Sequence, residues 1–388
     1  MKEILIHIGM HKTGTTSIQE SLHKVNREGF RTLRFHEKNH SIPMYTIFSE
    51  DRYNFPIWKK KGLTVKEIDQ KAFEFKKKLE EELADQTVSV FLVSGEAISL
   101  LNEDDQQRLC QFFKEKNLKV KIIYVVRDPR DFARSSIQQK AKGFSTHLQK
   151  INPNYRSRIS GFLKNLGKEN IFIYKYEELV QNGLIKSFSK VIGLNLKEYN
   201  QLNESLTSDA LALIIALNKI EISTHGSELK FRAKTNLINL IRDFFSESNG
   251  FNKINLDKYD LLEDIEDDLV WLKKNFGIEY PIYDQKYINL NTYEYTPSSK
   301  VLSKFFHIFG LNYKSSLTLV TNMQNLYKWF LKTTKNDELI KSFIKEKKFF
   351  EALELRTRAI ALGDNRKSSF AQASYLSTRC KNFEDAEI

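Results

Sequence analysis

The feature that most constrains this chain is a strand, a glycine-punctuated turn and a helix within its first two dozen residues. The apolar run Ile4-Leu5-Ile6-His7-Ile8 breaks into Gly9-Met10-His11-Lys12-Thr13-Gly14-Thr15-Thr16-Ser17, and a helical pattern follows. A β-branched run stopped by glycine reads as a strand ending in a tight turn. A helix that opens on such a turn offers free backbone N–H groups, and the positive end of its dipole, to an anion. The two glycines let the backbone fold tightly around a ligand without a Cβ in the way. The segment reads as a cradle for a phosphate-like group.

Gly9 and Gly14 have the separation of the Walker A glycines, but Thr15 rather than Lys follows the second, and the loop's lysine is Lys12. A triphosphate-binding kinase would keep the post-glycine Lys. A chance Gly/Thr turn before an ordinary helix is the plainer alternative. A second motif narrows the choice. The strand Val120–Val126 ends in Arg127-Asp128-Pro129-Arg130-Asp131, and a helix carries Ser135 eight positions after Arg127. A guanidinium fork can grip two phosphate oxygens at once. Helix capping accounts for Asp128 and Pro129 but gives no reason for Arg127 and Ser135 together. Downstream, Asn170-Ile171-Phe172-Ile173-Tyr174-Lys175-Tyr176-Glu177-Glu178-Leu179 reads as a strand running into a helix.

In this order, the three segments resemble the sulfotransferases that take a sulfuryl group from 3′-phosphoadenosine 5′-phosphosulfate (PAPS), most nearly bacterial members with an "HKTGTTS" loop. The resemblance covers residues 1–195. It implies that His11–Thr16 is the 5′-phosphosulfate loop and that Arg127 and Ser135 bind the 3′-phosphate. Lys12 would then stabilise charge on the bridging oxygen. Thr13, Gly14, Thr15, Thr16 and Ser17 would supply N–H and hydroxyl donors. Residues 170–179 resemble the family's "YEEL" segment, an architectural part.

Family enzymes place a His or Glu general base near the second strand end, and Glu96 in Leu92-Val93-Ser94-Gly95-Glu96 has an equivalent place. Its plainer role is to cap the short helix Ala97–Leu101. His11 is the rival base, with His36 and His40 weaker candidates and His7 a packed core residue. Gln138 and Gln139 are weak candidates for a sugar contact, with solvent exposure as the default reading. Lysine and backbone donors can stabilise the leaving group, so no metal is required, and no Cys/His cluster has zinc spacing.

Strands are expected at 3–8, 88–93, 120–126 and 170–175, with helical patterns at 17–26, 66–84, 104–116, 131–142 and 155–167. This alternation argues for an α/β fold, a P-loop-type parallel sheet flanked by helices. Ligands then bind at the carboxyl ends of the strands. Residues 30–65 lack periodicity and are read as a loop or lid. A mostly helical region follows from 204. The expected division is a sulfotransferase domain over 1–295 (α/β core 1–200, helical part 204–295) and a helical extension over 296–388. In that extension Phe349/Phe383 and Ala352/Ala386 recur at the tetratricopeptide period, or by chance. In Phe231-Arg232-Ala233-Lys234 the basic pair is read as a solvated helix face, with a cofactor contact as the alternative.

Cys110 and Cys380 lie far apart in sequence, which argues against a disulfide framework and fits a reducing cytoplasm. No apolar run approaches the roughly 20 residues of a membrane span, and a strand beginning by residue 4 leaves no room for a signal peptide. The net charge of +12 favours anionic partners. The expected acceptor is a hydroxyl-bearing glycan or glycolipid, with peripheral membrane contact and a protein partner for the C-terminal helices as further options. No nucleic-acid motif is present. A P-loop kinase and a non-catalytic scaffold with a relic sulfotransferase core are the competing functions.

Overall fold

The computed structural model describes residues 2–23, 25, 27–35, 38–197, 205–220, 228–246, 251–252, 254–257, 259–281, 287–290, 295–307 and 311–329. They divide into two compact units. One comprises Met1–Ser136, Lys150–Asn203 and Asp260–Lys286, the other Ile137–Gln149, Glu204–Tyr259 and Tyr287–Ile388.

The first unit is built on five parallel strands: β1 (Glu3–His7), β2 (Phe30–Thr32), β3 (Val90–Ser94), β4 (Lys119–Val126) and β5 (Ile171–Lys175). Their order is β2-β3-β1-β4-β5. β1 pairs with β3 from Glu3↔Val90 to His7↔Ser94, and with β4 from Glu3↔Lys119 to His7↔Ile123. β1 and β4 are near-continuous apolar runs because helices cover both faces of a parallel sheet. Leu5, Leu92 and Ile123 pack with Ile18, Leu22, Ile185 and Phe188 into one buried cluster. Those four come from α1 (Thr15–His23) and, further along, a helix over Leu184–Ile192.

After β2 the chain forms α2 (Ser41–Phe48), a 3-10 turn (Glu50–Asn54), α3 (Pro56–Lys61) and α4 (Val65–Leu83). The region read as a loop or lid is thus one short strand and two short helices. A three-residue strand and helices of eight and six residues are too short to show a period. The start of α4 is set by a capping box between Thr64 and Glu67.

A 3-10 turn (Glu96–Leu100) and α5 (Glu103–Glu115) join β3 to β4, and α6 (Pro129–Lys142) follows β4. Then come α7 (Ser160–Leu166), β5, α8 (Tyr176–Gln181) and α9 (Leu184–Ile192). Gln106, fully buried on α5, ties α5 to the start of α7. Its Nε2 donates to the carbonyls of Leu101, Ser157 and Arg158, and its Oε1 accepts from the N–H groups of Gly161 and Phe162. Gly161 permits that approach, since a Cβ there would lie 2.6 Å from the Glu103 carbonyl oxygen.

The second unit contains α10 (Ser208–Asn218), α11 (Glu228–Phe244) and α13 (Ser299–His307), whereas α12 (Glu266–Phe276) belongs to the first. Phe245, Phe305 and Phe306 are buried in its core, with Phe244 5.2 Å from Phe305. Gln138 is buried and accepts from the Leu206 N–H at 2.8 Å, so it braces the approach to α10 rather than meeting solvent. Lys234 also departs from the expected solvated face. It is buried over the Phe144 ring at 4.6 Å, and burial lowers its pKa to about 8. His36, the side chains of Phe231 and Arg232, and the repeat over 349–386 lie outside the described residues.

Candidate active site

The site gathers at the carboxyl ends of β1, β3 and β4. The connection out of β1 leads toward one edge of the sheet, while β4 lies on the other side of β1. Such a reversal of strand order opens a crevice above the central strand. Beyond β1 the ladder to β4 continues for three residues: Ile8 N–H donates to Ile123, Val125 N–H to Gly9 and Met10 N–H to Val125. Gly9 then turns at φ +76°, Lys12 at +66° and Gly14 at +70°. Lys12 is the one non-glycine among these three, a conformation the surroundings must enforce.

Arg127 supplies that enforcement. Its Nη1 donates to the Lys12 carbonyl oxygen at 2.7 Å, and its guanidinium lies 5.0 Å over the Tyr176 ring. Tyr155 Oη in turn donates to the Arg127 carbonyl at 2.6 Å. The Arg127 Nε is buried without a hydrogen-bond partner. An orphaned donor beside the first turn of α1, where helical N–H groups lack helical acceptors, fits a ligand bearing anionic oxygens.

Within the loop, Thr13 is fully buried and its Oγ1 donates to the Met10 carbonyl at 2.6 Å, so its hydroxyl proton is already used inside the turn. Thr15 is buried, Thr16 exposed and Ser17 half-buried on the first turn of α1, where backbone N–H groups lack helical acceptors. Gly14 is hemmed in, as a Cβ there would lie 2.2 Å from Leu184 Cδ2. Burial lowers the Lys12 pKa, the neighbouring Arg127 charge lowers it further, and Glu96 opposes both. Ser135 is half-buried in the second turn of α6. Asp128 Oδ1 accepts from the N–H groups of Arg130 and Asp131 and so caps α6, as the sequence implies.

Glu96 opens the turn after β3, directly against the loop: a Cβ on Gly9 would stand 2.9 Å from Glu96 Cβ. Its Oε2 accepts from Gln19 Nε2 at 3.2 Å and its Oε1 from Asn39 Nδ2 at 3.1 Å. His11 is brought into the same electrostatic neighbourhood. Burial drives its pKa down to about 4, Glu96 resists, and Arg158 and Lys12 add to the lowering. At neutral pH the ring is uncharged. His7 is fully buried, with Nδ1 2.8 Å from Ser94 Oγ, and His40 is buried with Nδ1 accepting from Ser94 N–H at 3.1 Å. Burial lowers both to about 4. His40 therefore serves the fold at the β3 end.

The sequence reading overlooked three contributors. Gln19 is buried on the inner face of α1 and Asn39 precedes α2. Arg158 is buried with Nε donating to the Pro153 carbonyl and Nη1 to Ser99 Oγ at 2.8 Å. The signal for Gln19 was its place between Ile18 and Leu22 on a core-facing stripe; Arg158 falls in the helical pattern expected over 155–167 but lies just before α7, which starts at Ser160. From the "YEEL" segment, Glu177 Oε1 accepts from Asp128 N–H at 2.9 Å, an architectural contact.

The family described as the sulfotransferase domain matches residues 2–210, more than half of the chain. This chain is a member of that family. The matched stretch of the sulfotransferase contains β1–β5, Glu96, Arg127 and Ser135. Among solved structures, the sulfotransferase is similar to one titled a sulfotransferase from Alicyclobacillus acidocaldarius. That match has 14% identity and a TM-score of 0.34, covering 52% of this chain and 87% of that one. No curated protein matches it. Among the described residues no three His, Cys, Asp or Glu side chains gather as a metal site, and no helix is long and apolar enough to cross a membrane.

Proposed function

We propose that this sulfotransferase uses PAPS as donor and a hydroxyl group of a glycan or glycolipid as acceptor. The observation that carries the donor assignment is the Arg127–Lys12 contact. It joins the phosphate-type loop after β1 to a strand end bearing a guanidinium with an unpartnered buried donor. An anion with phosphates at two positions suits both sites. When bound, PAPS supplies the electrophilic sulfur and a bisphosphate leaving group.

The N–H groups of Gly14 to Ser17, with the Thr15, Thr16 and Ser17 hydroxyls, hold the 5′ phosphate oxygens; Thr13 contributes its N–H. Arg127 and Ser135 hold the 3′-phosphate. Lys12 would supply an ammonium to stabilise charge on the bridging oxygen of the bound donor. Glu96 takes the acceptor's hydroxyl proton. It is favoured over His11 because both its oxygens are oriented by amides. The net charge of +12 supports an acceptor on an anionic glycan or membrane surface.

The test is thermal unfolding with adenosine 3′,5′-bisphosphate, against 5′-AMP and Mg-ATP. At a hundred times its dissociation constant the bisphosphate should add about 2.7 kcal/mol of stability. Stabilisation by Mg-ATP alone would favour a P-loop kinase, and by none of the three a non-catalytic scaffold.

A further inference from the structure

We propose that Asn39 is a positioning residue for the Glu96 carboxylate, acting on one oxygen while Gln19 holds the other. The proposal rests on Glu96 being the general base.

Both amides have only one orientation that satisfies their surroundings. The Ser41 backbone N–H can only donate, and it lies 2.8 Å from Asn39 Oδ1. That contact turns the Asn39 NH₂ toward Glu96 Oε1. Gln19 Nε2 faces two acceptors, Glu96 Oε2 at 3.2 Å and the Ser94 carbonyl at 3.4 Å, so its NH₂ end is also determined.

The main chain beneath the carboxylate is seated just as firmly. His40 N–H donates to the Ser94 carbonyl, and Ala97 N–H donates to Ser41 Oγ at 3.1 Å. Gly95 allows this lacing, for a Cβ there would stand 2.5 Å from Ser41 N. From the opposite side Ser99 Oγ donates to the Glu96 carbonyl at 2.8 Å and receives Arg158 Nη1. Residues 39–41 are thus bound to the strand end that carries the base.

Two amides occupy two of about four acceptor positions on a carboxylate and leave the others for an incoming hydroxyl. Neither amide can take the proton, and together they fix the direction of the carboxylate. An aspartate at position 39 keeps an oxygen for Ser41 N–H but puts a second carboxylate against Glu96. Like charges so placed share a proton.

The experiment is a pH-dependent double-mutant cycle on the full chain with Asn39→Asp and Glu96→Gln, read by thermal unfolding from pH 4 to 7. The folded pair holds a proton that the unfolded chain releases, so Asn39→Asp should lose stability relative to the parent as pH rises, and Glu96→Gln should abolish that pH dependence. A gap of constant size across the range overturns the proposal. The second readout is kcat and donor KM for transfer from PAPS to 4-nitrophenol. Asn39→Ala should lower kcat by roughly tenfold to a hundredfold and leave the donor KM unchanged. Asn39→Asp should shift the rising limb of the kcat profile to higher pH. An inactive Glu96→Gln beside fully active position-39 variants overturns the positioning role alone. An active Glu96→Gln overturns the base assignment beneath it.

Discussion

Arg127 donates to the carbonyl of Lys12 at 2.7 Å across 115 positions of chain, so the guanidinium at the end of β4 also clamps the loop that follows β1. Replacing it removes a charged hydrogen bond and the restraint on a left-handed lysine. Arg127→Ala should cost about 1–3 kcal/mol of stability and remove the midpoint shift induced by adenosine 3′,5′-bisphosphate. Arg127→Lys keeps the charge but not the fork and should recover only part of that shift. Ligand-dependent thermal unfolding of both variants checks this.

Glu96→Gln should leave binding of adenosine 3′,5′-bisphosphate intact and abolish turnover, because the amide keeps the shape but cannot take a proton. His11→Ala should retain measurable turnover. Single-turnover transfer from labelled PAPS separates the two, and the reverse pattern would assign the base to His11.

Gly9→Ala combines two costs. The position has φ +76°, and the new Cβ would press on Glu96 at 2.9 Å from its Cβ and 3.2 Å from its Cα. The conformation alone costs about 1–2 kcal/mol. The displaced carboxylate should lower turnover more than it weakens the bisphosphate. Urea unfolding and kinetics on the same preparation check both.

The buried histidines make the fold acid-sensitive. His7 and His40 are held near pKa 4 against an ordinary 6.5, so the unfolded chain binds more protons than the native one between those values. Stability therefore rises with pH through this window and is lost as pH falls from about 6.5 to 4. From pH 7 to pH 5 each fully buried histidine should remove about 2 kcal/mol. Urea unfolding at the two pH values measures the loss, and His7→Asn should reduce it.

Gln106→Leu should destabilise without touching the site. It leaves the N–H groups of Gly161 and Phe162 and three carbonyls without their partner, costing about 2–4 kcal/mol. The midpoint should fall while the bisphosphate shift, taken relative to the variant's own baseline, stays the same.

Much of the sheet was legible because buried parallel strands are long apolar runs. β1, β3, β4 and β5 begin and end within about two residues of their expected places. β2 was not, since Phe30-Arg31-Thr32 gains its identity only by pairing with Val90–Leu92. Gln138 and Lys234 read as surface residues because composition carries no depth; packing buried both.

What the amino-acid sequence determined by itself is local: a strand that must stop at Gly9, a helix that must follow the turn at Gly14, and a guanidinium at the end of β4. Each follows from the conformational limits of a few neighbouring residues. Only the tertiary structure decided that Arg127 would seize Lys12, that Asn39 and Gln19 would meet on Glu96, and that Arg158 would reach Ser99. Those contacts join residues 57 to 115 positions apart. They form because strand order brings three carboxyl ends together, and a buried donor or acceptor left there must find a partner.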